Sequence, residues 1–230
     1  MAQRQPTTVV SPKPARTVYP KSVKPASTNM LKPGKNNAKL GDVVTAKMWQ
    51  GSKMYSLTLE ERATCPTTCE QWNNCYGNNM PFAHRFDISD PEFYSRLDYQ
   101  LETLSKKHAD GFVVRLHVLG DFFSTEYVAF WGARVAMYGN LRVFGYTHHD
   151  SSTPIGQYIA RFNRILPQQW AIRFSDEDMN LMSAHVVDKD YQPCKGIEIV
   201  CPEQTGQAAS CADCGLCWSA TNRKIMFVEH

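Results

Sequence analysis

Nowhere do ~18 apolar residues run together, so no transmembrane helix is expected. The N-terminal stretch lacks the apolar core of a secretory signal, which places the chain in a reducing cytoplasm. Residues 1–40 contain no Asp or Glu at all, against eight Lys or Arg. No glycine-rich phosphate fingerprint follows any strand-like run, which weakens a nucleotide-binding Rossmann reading. Internal repeats are absent as well.

Cysteine, by contrast, is plentiful: the 230-residue chain has eight. In a reducing compartment these read as metal ligands or catalytic groups rather than as a disulfide framework. They fall into two sets. The first is Cys65-Pro-Thr-Thr-Cys69-Glu-Gln-Trp-Asn-Asn-Cys75, whose three thiols one short loop can bring to one point. Three thiolates leave a fourth coordination position open. On zinc that position holds water or substrate; on a [4Fe–4S] cluster it leaves one iron free for a small molecule. The second set is Cys194, Cys201, Cys211, Cys214 and Cys217. Its C-x2-C-x2-C run with an additional Cys-Pro is closer to ferredoxin-type ligation than to paired zinc knuckles. Cys201, Cys211, Cys214 and Cys217 make a complete four-thiolate site, with Cys194 spare. Structural zinc remains the alternative at both sets.

Residues 1–40 hold six of the thirteen prolines. Such a composition predicts a disordered, basic tail, able to hold nucleic acid by counterion release or merely to solubilise. Without it the chain has 17 basic residues (25 less 8) against 22 acidic, so the body is mildly acidic. Between residues 41 and 190, strand and helix patterns alternate. Strands are expected at 54–59, 112–119, 141–147 and 170–175, and weaker ones at 184–187, 197–200 and 225–228. Helices are expected to start at Asp90-Pro91, at Ser124 and at Thr153-Pro154, the last with Ile155, Tyr158, Ile159 and Phe162 on its apolar face. This order predicts an α/β fold with a parallel sheet wound as a partial (βα) barrel, followed by a small Cys-rich metal-binding cap over residues 191–230. Function in such folds gathers at the carboxyl ends of the strands. Arg115 and His117, sharing one strand face, together with Tyr146, His148 and Arg173, are therefore the expected substrate-contact residues. Of the adjacent pair His148-His149, only one ring can face inward.

Thr-Cys-Pro…Cys…Cys-Tyr, Arg-Leu-His-Val-Leu-Gly-Asp-Phe and Cys-Pro-Glu-Gln…Cys-Ala-Asp-Cys-Gly-Leu-Cys-Trp together resemble the gene-product-88 family of phage proteins over roughly residues 40–230. More distantly, the order of parts resembles radical S-adenosylmethionine (SAM) enzymes: a first strand, a three-Cys loop with an aromatic residue beside its last Cys, then βα units. The family spacing there is C-x3-C-x2-C; this loop has C-x3-C-x5-C. That resemblance implies an enzyme whose loop cluster binds and cleaves SAM, with Tyr76, Gly120 and Asp121 as cofactor-binding residues and Cys65, Cys69 and Cys75 as cluster ligands. Its substrate is an unnamed small molecule or nucleotide. The competing expectation is a non-catalytic nucleic-acid-binding protein stapled by zinc or clusters.

Overall fold

The computed structural model describes Thr8 and residues 13–27, 29–219 and 223–229. In chain order the elements are β1 (Val23–Lys24), β2 (Lys32–Pro33), β3 (Lys53–Leu57), β4 (Arg85–Phe86), α1 (Phe93–Lys107), β5 (Phe112–Leu116), α2 (Thr125–Met137), β6 (Leu141–Thr147), α3 (Pro154–Ile165), β7 (Trp170–Ser175), β8 (Ser183–Val187), β9 (Glu198–Val200), α4 (Cys211–Cys214) and β10 (Lys224–Val228). Two of the three expected helix starts hold, at Ser124 and at Thr153-Pro154. Ser124 accepts from the Tyr127 amide and Thr153 from the Gly156 amide, and Pro154 opens α3. These caps satisfy amides that have no partner inside their helices. At α1 the N-cap position falls on Glu92, while the Asp90 carboxylate accepts from the Glu92 amide just outside the helix.

Eight strands form one mixed sheet in the order β2-β3-β5-β6-β7-β8-β10-β9. The β2–β3 pair is antiparallel and the other pairs are parallel. The sheet is open: β2 and β9 are its edges, each with one neighbour. Strand alternation sorts the side chains onto two faces. Leu57, Val114, Leu116, Val143, Ile172 and Phe174 meet the buried stripes of α1, α2 and α3 in one core. Tyr158, expected on the apolar face of α3, is instead 42% exposed. Met54, Val113, Phe144, Ala171 and Ile225 point the other way. They pack against Leu40, Val44, Trp49, Cys201, Cys217 and Trp218. The Cys-rich segment therefore covers the helix-free face, and it also supplies β9 and β10 to the sheet itself.

The expected disordered tail is corrected over residues 13–27 and 29–40. Met30, Leu31 and Leu40 are fully buried, β1 pairs with β4, and β2 pairs with β3. The Leu31 amide donates to Gln100 Oε1 and the Thr17 hydroxyl to Glu61 Oε1. The physical reason is docking. A segment too polar to build a core can still bury a few apolar side chains in a neighbour's core and close its backbone hydrogen bonds there. Residues 1–12, apart from Thr8, lie outside the described residues. No described helix is long and apolar enough to cross a membrane.

Candidate functional site

β3 delivers the chain directly into Glu60-Glu61-Arg62 and then the three-Cys loop. Each of these charges is buried. Glu61 pairs with Arg85, which is itself fully buried and also donates to the Ser22 hydroxyl and to the carbonyls of Gly77, Met80 and Ala83. Glu60 pairs with Arg16 at 2.6 Å. Arg62 has no carboxylate among the described residues. One Nη donates to Trp72 O and Asn78 Oδ1, at 3.0 and 2.7 Å, while Nε and the other Nη are buried without partners. An unpaired buried guanidinium is costly unless an anion stands beside it.

Thr64, one turn on, donates to Glu60 O and accepts from the Asp121 amide. A Cβ on Gly120, whose φ is +82°, would stand 2.6 Å from Thr64 Oγ1 and 2.7 Å from Leu59 Cβ. Glycine is required there because the chain after β5 presses against the root of the Cys loop.

Cys65, Cys69 and Cys75 all line a cavity of about 350 Å³ on the helix-free face of the sheet. So do Cys201, Cys211 and Cys217. Two sets that are well over a hundred residues apart in sequence thus face one space. Its other walls include Arg62, Tyr76, Arg115, Gly120, Tyr146 and His148. Local geometry explains the C-terminal set. Ser210 caps α4, which places Cys211 and Cys214 one turn apart, and Gly215 in the left-handed conformation turns the chain so that Cys217 follows. Cys214 does not line the cavity, and Cys194 is exposed with its amide on Glu198.

All eight thiols are free. Burial pushes Cys65, Cys69 and Cys75 upward, Cys69 to about 12. It does the same for Cys211, Cys214 and Cys217, the last again to about 12. Neighbouring thiols add to the rise at Cys65, Cys69, Cys211, Cys214 and Cys217. In this form these six groups are neutral thiols. Among the described residues, no three His, Cys, Asp or Glu side chains are gathered closely enough to hold a metal ion. Protonated thiols do not draw one another together; convergence comes with the cation that displaces their protons. Thiols are the donor type of a metal or cluster site, but they are not gathered into one here; each wall also has a cation with no carboxylate pair among the described residues. Arg62 lowers Cys75 and Arg115 lowers Cys211. Among the described residues Arg115 makes no ion pair, and its Nε is buried without a partner there.

The expected site residues divide. Arg115, Tyr146, His148, Tyr76 and Gly120 line the cavity. His117 does not: β5 ends at Leu116, so strand alternation stops before it. Its ring stacks on Tyr127 on the helix side, hydrogen-bonds the Tyr127 hydroxyl at 2.9 Å, and is pushed down to about 3 by burial. Arg173 is fully buried and donates to the carbonyls of Cys217, Leu216 and Arg223, so it anchors the Cys segment. Asp121 is 2% exposed, and its carboxylate accepts from the amides of Phe122 and His148, both at 2.7 Å. It braces two strand ends and does not line the cavity. His148 faces inward, whereas His149 turns to Phe122 O.

Sequence reasoning missed Arg62, Glu61, Arg85 and His185. Asp176 lies 3.6 Å from His185 Nδ1 and 4.0 Å from His148 Nε2. Asp176 and His148 line both the cavity and a second, outer recess of about 500 Å³ beside Pro66–Thr68. The unbroken charge run Glu60-Glu61-Arg62 between an apolar strand and a Cys loop was the available signal.

A family profile described as Gene product 88 matches residues 24–211. The chain belongs to the gene product 88 family. No curated protein and no solved structure matches it. The match begins at β1 and ends at Cys211, so both Cys walls of the cavity fall at least partly inside the family's shared region.

Proposed function

We propose that this gene product 88 protein is an iron–sulfur enzyme of radical-SAM type, working in the cavity between its two Cys sets. The observation that carries the reading is that the sets share one cavity, whose ~350 Å³ is the size of a small-molecule site. Cys65, Cys69 and Cys75 would hold a [4Fe–4S] centre, and Cys201, Cys211, Cys214 and Cys217 a second thiolate centre. Such a centre, if bound by Cys65, Cys69 and Cys75, would supply one electron for reductive cleavage of a sulfonium.

The chain's own residues do the rest. Arg62 and Arg115 offer positive charge on opposite walls, which favours an anionic centre and a carboxylate-bearing ligand. The sheet, the Cys loop and the C-terminal segment form the walls of the cavity. His148, with Asp176 and His185 behind it, stands where the outer recess meets the cavity and can exchange a proton with a substrate there. Asp121 is not the ammonium contact in this account, because both of its oxygens are taken by amides.

A zinc-stapled nucleic-acid binder fits less well. Three cations of the N-terminal segment are turned to acceptors of the protein itself: Lys13 to Thr67 O, Arg16 to Glu60 and Lys39 to Glu203. The test is electron paramagnetic resonance on anaerobic, dithionite-reduced protein. SAM should change the signal of the native chain and of Cys214→Ala, and leave Cys69→Ala unaffected. A loaded native protein whose signal ignores SAM would overturn the enzyme reading.

A further inference from the structure

We infer that the cavity seats a small aromatic molecule by its oxyanion, a carboxylate or a phosphate, and that Arg115 is the residue that receives it. The inference names a ligand class for the cavity of the reading above but uses neither its metal nor SAM, so it stands whether or not a cluster is bound.

Arg115 is on β5, an interior strand, in register with Ser56 on β3 and Phe144 on β6. Paired strands on both sides fix its backbone, and its side chain lines the cavity on the helix-free face. Among the described residues no carboxylate pairs with it, its guanidinium makes no hydrogen bond, and Nε is buried without a partner. A half-buried cation in that position has lost hydration and gained nothing in return. An apolar residue there would simply continue the face that Met54, Val113 and Phe144 form.

Most other charges bordering the cavity already have partners. Lys39 pairs with Glu203 at 3.2 Å, and Glu61 pairs with Arg85. Asp176 lies beside both His148 and His185, and Glu229 is exposed. Arg62 is the second exception. It is 2% exposed, and its φ of +66° lies in the left-handed region that a non-glycine residue enters only at a cost. One Nη is held by Trp72 O and Asn78 Oδ1, while Nε and the other Nη have no partner. The two arginines therefore leave the cavity positive, with no counter-ion among the described residues. A guanidinium presents a planar fork that meets carboxylate or phosphate oxygens two at a time. Trp72, Tyr76, Phe144, Tyr146 and Phe227 line the same space, which suits an aromatic body beside the oxyanion. Its volume of about 350 Å³ is that of one small-molecule site.

The experiment is calorimetric titration of the full-length protein with naphthoate, with naphthyl phosphate and with uncharged naphthol. The native chain should bind the better of the two anions about tenfold or more tightly than naphthol, and whichever anion binds more tightly identifies the oxyanion. Arg115→Met should remove the preference and leave naphthol binding as it was. Arg115→Gln, which keeps a polar side chain without the charge, should do the same and decides the matter if the methionine variant misfolds. Without any probe, Arg115→Met should unfold at no lower urea concentration than the native protein, because the charge it removes had no partner. Native protein that binds naphthol as tightly as the anions, or binds none of the three, would overturn the inference. So would an anion preference that survives the loss of Arg115, or a lower urea midpoint in the methionine variant, which would make Arg115 a support of the fold. No measurement here uses a cluster or SAM, so a paramagnetic signal that ignores SAM and a missing anion preference are separate results.

Discussion

Tyr146 and Arg173 are cross-strand partners, and both end on Cys217, one at the sulfur and one at the carbonyl. The Cys segment is thereby built onto the sheet rather than appended to it. Arg173→Met should leave three carbonyls without their donor, the buried one at Cys217 costing roughly 1–3 kcal/mol. We expect the midpoint of chemical denaturation to fall and metal at the C-terminal set to be lost while the loop set stays loaded. Equal loss at both sets would show that Arg173 supports the whole fold and not this segment.

Glu61 and Arg85 form the most buried ion pair beside the loop, with side chains 1% and 0% exposed. Removing one partner strands the other. Glu61→Gln should cost about 3–5 kcal/mol, measured by urea unfolding. The double change to an apolar pair should recover part of that loss.

Deleting residues 1–40 should destabilise the protein strongly. Met30 and Leu31 sit in the helix-side core, and emptying each such site costs about 2–5 kcal/mol. An unchanged melting temperature would show that the N-terminal segment does not contribute to the fold.

His117 makes acid stability pH-dependent with a definite sign. Its folded-state pKa, about 3, lies below the ordinary 6.5, so the folded state resists the proton that the unfolded chain accepts. The stabilisation is complete above about pH 6.5 and is lost as pH falls toward 3. His117→Gln should therefore show a shallower fall in unfolding free energy over that window, by close to one proton. Parallel curves for the two proteins would contradict the burial argument.

Much of the architecture was legible because its signals are local. Ser124 and Thr153 cap where they should, and the apolar runs at 112–116, 141–147 and 170–175 became the central strands. Strand length was less legible: β5 stops at Leu116, and the residues from His117 to Asp121 pack by tertiary contacts that period-two alternation does not encode. The N-terminal segment was misread for a related reason. Composition reports whether a segment can make its own core, and Met30, Leu31 and Leu40 borrow another. In the site, both Cys sets could be found by spacing, but their meeting across one cavity is a property of the sheet. Arg62, Asp176 and His185 have no motif, and their roles come from the company the fold gives them.

Cys194 is exposed and outside the cavity. Cys194→Ala should keep the metal content of the native protein, whereas Cys214→Ala should lower it, since ligand loss couples to folding. Matching losses in the two variants would change the ligand set.

The most direct test of the two-centre cavity is the iron and acid-labile sulfide content of anaerobically prepared native protein beside Cys69→Ala and Cys214→Ala. The account predicts iron and sulfide in the native chain, with each variant losing one centre and keeping the other. Stoichiometric zinc without sulfide in the native protein would contradict it.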